Sequence, residues 1–78
     1  MRPEPIALHE KRFNYLPFRF MYRGEEWRVR HVEKSWGEAA TWRKPPRWFF
    51  RVRCQDDKIV NLIHDVQLDA WYLERRGA

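Results

Sequence analysis

The sequence predicts an all-β fold, a small antiparallel meander of four to five strands curled into an open SH3-like barrel. Three observations lead to this prediction. Apolar and polar residues alternate with a period of two in several short segments, as in strands with one buried face. The segment Trp27–Arg30 returns nearly unchanged as Phe50–Arg53. Glycine, proline and aspartate fall between these segments at hairpin spacing.

The chain is organised as one small domain. Residues 1–16 contain two prolines and mixed polarity, so they are predicted to form an N-terminal arm, partly extended or disordered, in which Ile6 and Leu8 could add a short edge strand. Residues 17–78 form the predicted β domain. A domain of this size buries only about 60% of its unfolded surface, but five Trp, five Phe and three Tyr allow a core without disulfides.

The first hairpin is predicted to join a strand at 18–22 to a strand at 26–34. A two-residue turn with Gly24 in its first central position suits a type II′ geometry. A shift of one residue would mix the apolar and charged faces, so the alternation selects the register. The predicted cross-strand pairs are Tyr22 with Trp27, Phe20 with Val29, and Arg19 with Arg30.

The second hairpin follows an irregular stretch at 35–46, where a diproline prevents helix and central strand alike. Strands at 47–54 and 58–64 are joined by a three-residue loop, which pairs Val52 with Val60. A two-residue loop would instead set Val52 against a polar Asn61. A last strand is expected at 70–74. The predicted core consists of Phe20, Val29, Phe50, Val52, Leu62 and Trp71.

Charge is distributed unevenly along the chain, whose net charge is +5. Residues 11–53 hold twelve Lys or Arg against four Glu, which gives this stretch a local charge of +8. Such asymmetry favours a polyanionic partner. The competing interpretation is a solvated strand face whose arginines lie over aromatic neighbours.

The candidate binding surface is a basic strand face. With Arg19 opposite Arg30, like charges would destabilise the sheet, so stability alone does not explain the pattern. Phe49, close to these cations, could stack on bases. The candidate nucleic-acid-binding residues are Arg19, Arg28, Arg30, Lys34, Arg43, Lys44, Arg47, Phe49, Arg51 and Arg53.

Other chemistry finds little support in the sequence. His9, His31, His64 and Cys54 have no metal-ligand spacing, and neither a phosphate loop nor a nucleophile elbow occurs. We therefore expect no metal, no cofactor and no catalysis. A single cysteine fits a reducing compartment, and no segment is apolar enough to span a membrane. The expected location is cytoplasmic, without a membrane partner, and the oligomeric state stays open.

The order of short motifs resembles a small bacterial domain family of unknown function. A similar segment ends the catalytically inactive Y-family polymerase-like subunit of bacterial translesion mutasomes. The resemblance covers about three quarters of the chain and implies a non-enzymatic accessory module near DNA repair. The motifs that carry it are Phe18-Arg19-Phe20, Tyr22-Arg23-Gly24, Trp27-Arg28-Val29, Trp42, Trp48-Phe49-Phe50-Arg51-Val52, Ile59–His64 with Asp65, and Trp71-Tyr72-Leu73.

The charge pattern and the resemblance together predict a non-enzymatic accessory module. It is expected to bind DNA or RNA weakly through phosphates, in association with DNA repair or replication, and a repair or replication protein is a second expected partner. The alternative class is a protein-interaction module that docks an acidic segment or a sheet edge.

Overall fold

Six antiparallel strands make up the fold in the computed structural model, which describes residues 2–13 and 15–75. Each strand pairs with the next, and the first also pairs with the last, so the sheet closes into a barrel. The all-β class is confirmed, with six strands in place of four to five and a closed barrel in place of an open one. The strands are β1 (Glu4–Arg12), β2 (Leu16–Tyr22), β3 (Glu25–Glu38), β4 (Arg47–Cys54), β5 (Ile59–Asp65) and β6 (Ala70–Arg75).

β1 is the strand that closes the barrel. The sequence predicted an arm at residues 1–16 with at most a short edge strand at Ile6 and Leu8, whereas the structure pairs β1 with β2 on one side and β6 on the other. Ile6 and Leu8 are half-buried and pack against the core. They alternate with exposed residues, which gives β1 the two-residue period of a strand. Because only two apolar side chains carry this period, the sequence indicates the strand only weakly.

A carboxylate at the start of β1 fastens the closure. The hydroxyl of Tyr22 and the guanidinium of Arg23 both donate to the carboxylate of Glu4, the second over 2.6 Å. These hydrogen bonds, with the positive charge of Arg23, hold the pKa of Glu4 below its ordinary value of 4.5. β1 is thus tied to the β2–β3 turn as well as to its neighbouring strands.

The β2–β3 hairpin has a register that differs from the predicted one by two residues. Phe20 pairs with Trp27, so the predicted pairing of Tyr22 with Trp27 is wrong. The two-residue turn is Arg23-Gly24, with φ of 51° and 76°. Positive φ at both positions belongs to a type I′ turn, whose twist matches that of the flanking strands. A shift of two residues keeps every side chain on its predicted face.

The β4–β5 hairpin has the predicted register. Val52 faces Val60 and Phe50 faces Leu62, so the three-residue loop is confirmed. Asp56 and Asp57 both have positive φ, at 59° and 56°, a conformation that aspartate tolerates better than most residues.

β3 is longer than predicted. It continues to Glu38, so the irregular segment shrinks from 35–46 to 39–46. From Val29 onwards β3 pairs with β4, and two register shifts interrupt the ladder, which makes Arg30 and Glu33 bulge residues. Ser35 to Glu38 are held in strand conformation by pairing with Arg47 to Phe50.

The barrel interior contains the predicted core. All six predicted core residues are buried, and further apolar side chains, among them Tyr22, Trp27 and Leu73, join the same cluster. Aromatic rings stack within it: Phe20 on Trp27 at 5.8 Å between centroids, and Phe50 on Trp71 at 5.7 Å. Aromatic pairs at such distances add stability beyond the area that they bury.

We expect Phe50→Ala to destabilise the protein by about 3–5 kcal/mol, because it removes a buried ring and its stacking on Trp71. Such a loss is comparable to the whole free energy of unfolding of a small domain. The matched control is Phe13→Ala, since Phe13 is 80% exposed and should change stability by less than about 0.5 kcal/mol. Urea denaturation measures both, and similar midpoints for the two variants would contradict this description of the core.

The hydrogen bonds to Glu4 predict a pH dependence of stability. Because the folded-state pKa is lowered, the stabilisation is fully present above the ordinary value of 4.5 and is lost as pH falls through the folded pKa. Glu4→Gln should therefore lower the melting temperature above pH 4.5 and flatten its fall below that pH. Glu25→Gln is the control, since Glu25 is exposed; an identical pH profile in both variants would contradict the role of Glu4.

Candidate functional site

Four side chains form a continuous row across the outer surface of β3, β4, β5 and β6. Trp36 is paired with Phe49, Phe49 with Ile63, and Ile63 with Tyr72. We call these four residues the outer aromatic row. The rings of Trp36 and Phe49 are nearly parallel, at 5°, with centroids 5.3 Å apart. Both rings are half-buried, so they remain accessible in part.

Cations border the outer aromatic row on both sides. The Nζ of Lys34 lies 5.3 Å from the Trp36 ring, and the guanidinium carbon of Arg47 lies 5.1 Å from the Phe49 ring. Lys34 faces Arg51 in the next cross-strand pair on the same face of the sheet. At the far end, Lys44 and Arg47 border a shallow hollow of about 350 Å³ beside Ile63 and Tyr72. The row therefore presents apolar rings between positively charged groups.

Lys34 and Arg51 are cations beside the row that no carboxylate of the described residues compensates. Neither forms an ion pair with a carboxylate among residues 2–13 and 15–75. The Nε of Arg51 donates only a long hydrogen bond, 3.5 Å, to the side-chain oxygen of Asn61. Their positions, opposite each other on adjacent strands, would repel in the absence of a counter-charge.

Three of the predicted arginines are already neutralised by acidic partners within the fold. The local charge of +8 for residues 11–53 counts every charged side chain, whether paired or not. The ion pairs reduce the positive charge that is available to a ligand. The closest pairs are Arg19 with Glu26 at 3.0 Å, Arg47 with Glu38 at 2.6 Å, and Arg53 with Glu33 at 2.7 Å. Arg19 also approaches Glu10, at 3.5 Å, and Arg53 approaches Asp57, at 3.7 Å.

The remaining predicted cations lie away from the centre of the row. Arg28 and Arg30 are exposed on the first half of β3, and Arg19 is paired with Arg28, not with Arg30 as predicted. Arg43 belongs to the 39–46 loop, where its guanidinium lies 4.4 Å from the Trp42 ring. The structure thus brings Lys34, Arg47, Phe49 and Arg51 together with Lys44 at the edge, and leaves the other candidates apart.

Trp36, at the β3 end of the row, is a site residue that was not predicted from the sequence. It was assigned to the irregular segment, although Lys34 and Trp36 follow the same two-residue spacing as Phe49 and Arg51 on the partner strand. Extending that alternation past Lys34 would have found it.

Other functional groups contribute no site in the described part of the chain. No group of three or more His, Cys, Asp or Glu that could hold a metal occurs there. Cys54 is fully buried in the core, and this burial raises the pKa of its thiol to about 11. His31 is exposed, whereas His64 stacks on Trp71 at 4.2 Å and bonds Asp69 over 2.8 Å. Within the same residues, no helix has the length and apolar character needed to cross a membrane.

These features define the class of the protein as a small closed antiparallel β-barrel with an aromatic, cation-bordered outer surface. The sequence model of a domain of unknown function, DUF6504, matches residues 2–76. The chain therefore belongs to this family. No curated protein and no solved structure shows detectable similarity to it. The comparisons do not link it to translesion polymerase-like subunits, so that part of the resemblance stays a prediction.

The buried thiol predicts slow modification of Cys54. Because its pKa is raised from 9.0 to about 11, the fraction of reactive thiolate near neutral pH is very small. We expect a disulfide reagent to modify the native protein far more slowly than the urea-unfolded protein, at a rate set by opening of the barrel. Modification of the native protein at the rate of a free thiol would contradict the burial of Cys54.

Proposed function

We propose that this protein binds single-stranded nucleic acid, weakly and without strong sequence preference, at the outer aromatic row. The observation that carries the proposal is the parallel pair of Trp36 and Phe49 on the barrel exterior, beside the unpaired cations Lys34 and Arg51. Aromatic platforms next to a cationic track are the common design of proteins that bind single strands.

A base can approach the outer aromatic row at its β3 end. Adjacent strands lie about 4.8 Å apart, so two parallel rings on neighbouring strands each have one face against the other ring. The far face of Trp36 lies on the side of β3 that has no strand partner after Arg28. The Nζ of Lys34 lies over the Trp36 ring, so a base that stacks on the far face displaces this flexible side chain towards a phosphate. A base of any identity can do so, because every base has a π-face.

The charges are placed to contact phosphates along the row. Lys34 and Arg51 lie on one side of the stacked rings, and Arg47 and Lys44 lie on the other. Four phosphate contacts on a single strand correspond to a log–log salt slope of about −3. Arg47 contributes less than a free cation, since Glu38 already holds it at 2.6 Å. Binding is therefore expected to be weak and sensitive to salt.

A purely structural explanation of the row makes a different prediction. Ile63 is only 3% exposed, so part of the row packs regardless of any ligand. If the row served packing alone, replacing Trp36 would change the stability of the protein, and neither the parent nor the variant would bind oligonucleotides. The proposed connection to DNA repair or replication is supported by the resemblance of the motifs alone, whereas nucleic-acid binding is also supported by the site.

Trp36→Leu should weaken binding of a fluorescent single-stranded oligonucleotide by about fivefold to a hundredfold, as expected when one base loses its stacking partner. Leucine keeps apolar packing against Phe49, so the fold should persist. Fluorescence anisotropy at two salt concentrations measures the affinity, and urea denaturation verifies that the variant is folded. Binding that is equal in the parent and in a folded Trp36→Leu variant would refute the stacking role.

The double variant Lys34→Gln with Arg51→Gln tests the phosphate contacts. It should weaken binding to all oligonucleotide sequences alike and make the salt slope shallower by about 0.7 for each phosphate that is no longer neutralised. The matched control, Lys58→Gln with Arg75→Gln, removes the same charge at the β4–β5 turn and the end of β6. Equal effects of the two double variants would mean that net charge, and not this site, governs binding.

A further inference from the structure

The large apolar side chains that remain exposed are concentrated at one end of the barrel. Six such residues occur in the described part of the chain: five lie in the segments 13–15, 39–46 and 66–69, and the sixth, Trp48, is the second residue of β4. The 23–24 and 55–57 turns contain only Arg, Gly, Gln and Asp. The six residues are Phe13, Tyr15, Trp42, Trp48, Val66 and Leu68.

Strand topology explains why these segments meet. In an antiparallel barrel, connections after odd-numbered strands share one end and connections after even-numbered strands share the other. The β1–β2, β3–β4 and β5–β6 connections are therefore neighbours. The amide of Val66 donates to the carbonyl of Pro46 at 3.4 Å, and Tyr15 lines one hollow together with Trp48. We call this surface, formed by the six residues named above, the apolar end.

A preformed hollow of about 210 Å³ lies within the apolar end, and most of its lining is apolar. The Trp48 ring packs against Gly37, where any Cβ would come within 3.1 Å of it. His64 is fixed by its stack on Trp71 and its bond to Asp69. Two of its lining side chains are thus held in place by packing, and the hollow is large enough for one apolar side chain of a partner. Its lining residues are Tyr15, Ser35, Trp48, Phe50 and His64.

The charge around the apolar end is positive. Lys11 and Arg12 end β1, and Arg43 and Lys44 belong to the 39–46 loop. The acidic groups at this end are engaged: Asp69 with His64, Glu38 with Arg47, and Asp65, only 8% exposed, with the amide of Leu68. A partner with acidic side chains would meet complementary charge, whereas a second copy of the same end would meet repulsion.

We propose that the apolar end is a docking surface for an acidic protein segment, which places one large apolar side chain in the hollow beside Trp48. Exposed apolar clusters rimmed by charge mark interaction sites in soluble proteins. This surface lies at the end of the barrel and the outer aromatic row lies on its wall, so the inference does not depend on nucleic-acid binding. Lys44 and Arg47 border both surfaces.

Selection from a random library of displayed peptides, each about twelve residues long, tests the chemistry of the partner. The selected sequences should combine Asp or Glu with Trp, Phe or Leu, and replacing the apolar residue by Ala should abolish binding. Selected peptides that are basic, or a selection that yields no specific binder, would overturn the proposal.

Two variants of the protein locate the site of the selected peptide. Trp42→Ser with Leu68→Ser alters side chains that are 87% and 70% exposed, so folding should persist while peptide affinity falls at least about tenfold. Ser35→Leu fills the hollow and should have the same effect. Trp36→Leu is the control and should leave peptide affinity unchanged, since Trp36 lies outside the apolar end.

The same variants separate the competing occupants. Oligonucleotide binding should be unaffected by Trp42→Ser with Leu68→Ser, and sedimentation should show a monomer at every concentration used. Peptide binding that survives both apolar-end variants would overturn the proposal. So would a dimer that these substitutions dissociate, because a second copy would then be the occupant. Loss of oligonucleotide binding in these variants would instead assign the apolar end to nucleic acid.

Discussion

The barrel depends on the way in which β3 divides its hydrogen bonds between two neighbours. Its first four residues pair with β2, and from Val29 onwards it pairs with β4. Two bulges lie in the second part of the strand. The first, at Arg30, reverses the order of inward and outward side chains, so that Val32 enters the barrel opposite Val52. The second, at Glu33, restores the original order.

The outer surface follows from this double reversal. With only one bulge, Trp36 would point into the barrel and Ser35 would point out, because a single extra residue exchanges the two faces of a strand. Arg53 holds the second bulge in place with hydrogen bonds of 3.0 and 2.7 Å to the Glu33 carboxylate. An arginine that the sequence suggested as a nucleic-acid ligand therefore has a structural role: it helps to set the face on which Trp36 appears.

The sequence predicted the inside of the protein better than its outside. The alternation of apolar and polar residues determines which face of a strand each side chain occupies. All six core residues were therefore predicted correctly, although the predicted Tyr22–Trp27 pairing was wrong by two residues. Period-two alternation cannot distinguish registers that differ by two, and Arg23-Gly24 is a weaker turn signal than Asn-Gly. Charge counts do not reveal ion pairs between distant residues, so the pairing of Arg19 and Arg53 with glutamates was not anticipated. The clustering of exposed apolar residues at one end of the barrel could be predicted only from the closed strand order. That order depends on β1, which the sequence analysis did not predict as a full strand.

The first strand begins and the last strand ends at the end of the barrel opposite the apolar end. β1 begins at Glu4, which is bonded to Tyr22 and Arg23 near the β2–β3 turn, and β6 ends at Arg75, beyond the residue that pairs with Glu4. Pro3, just before β1, nevertheless lines the same hollow as Lys44 and Pro45 of the 39–46 loop, so the segment that leads into the closing strand also forms part of the outer surface.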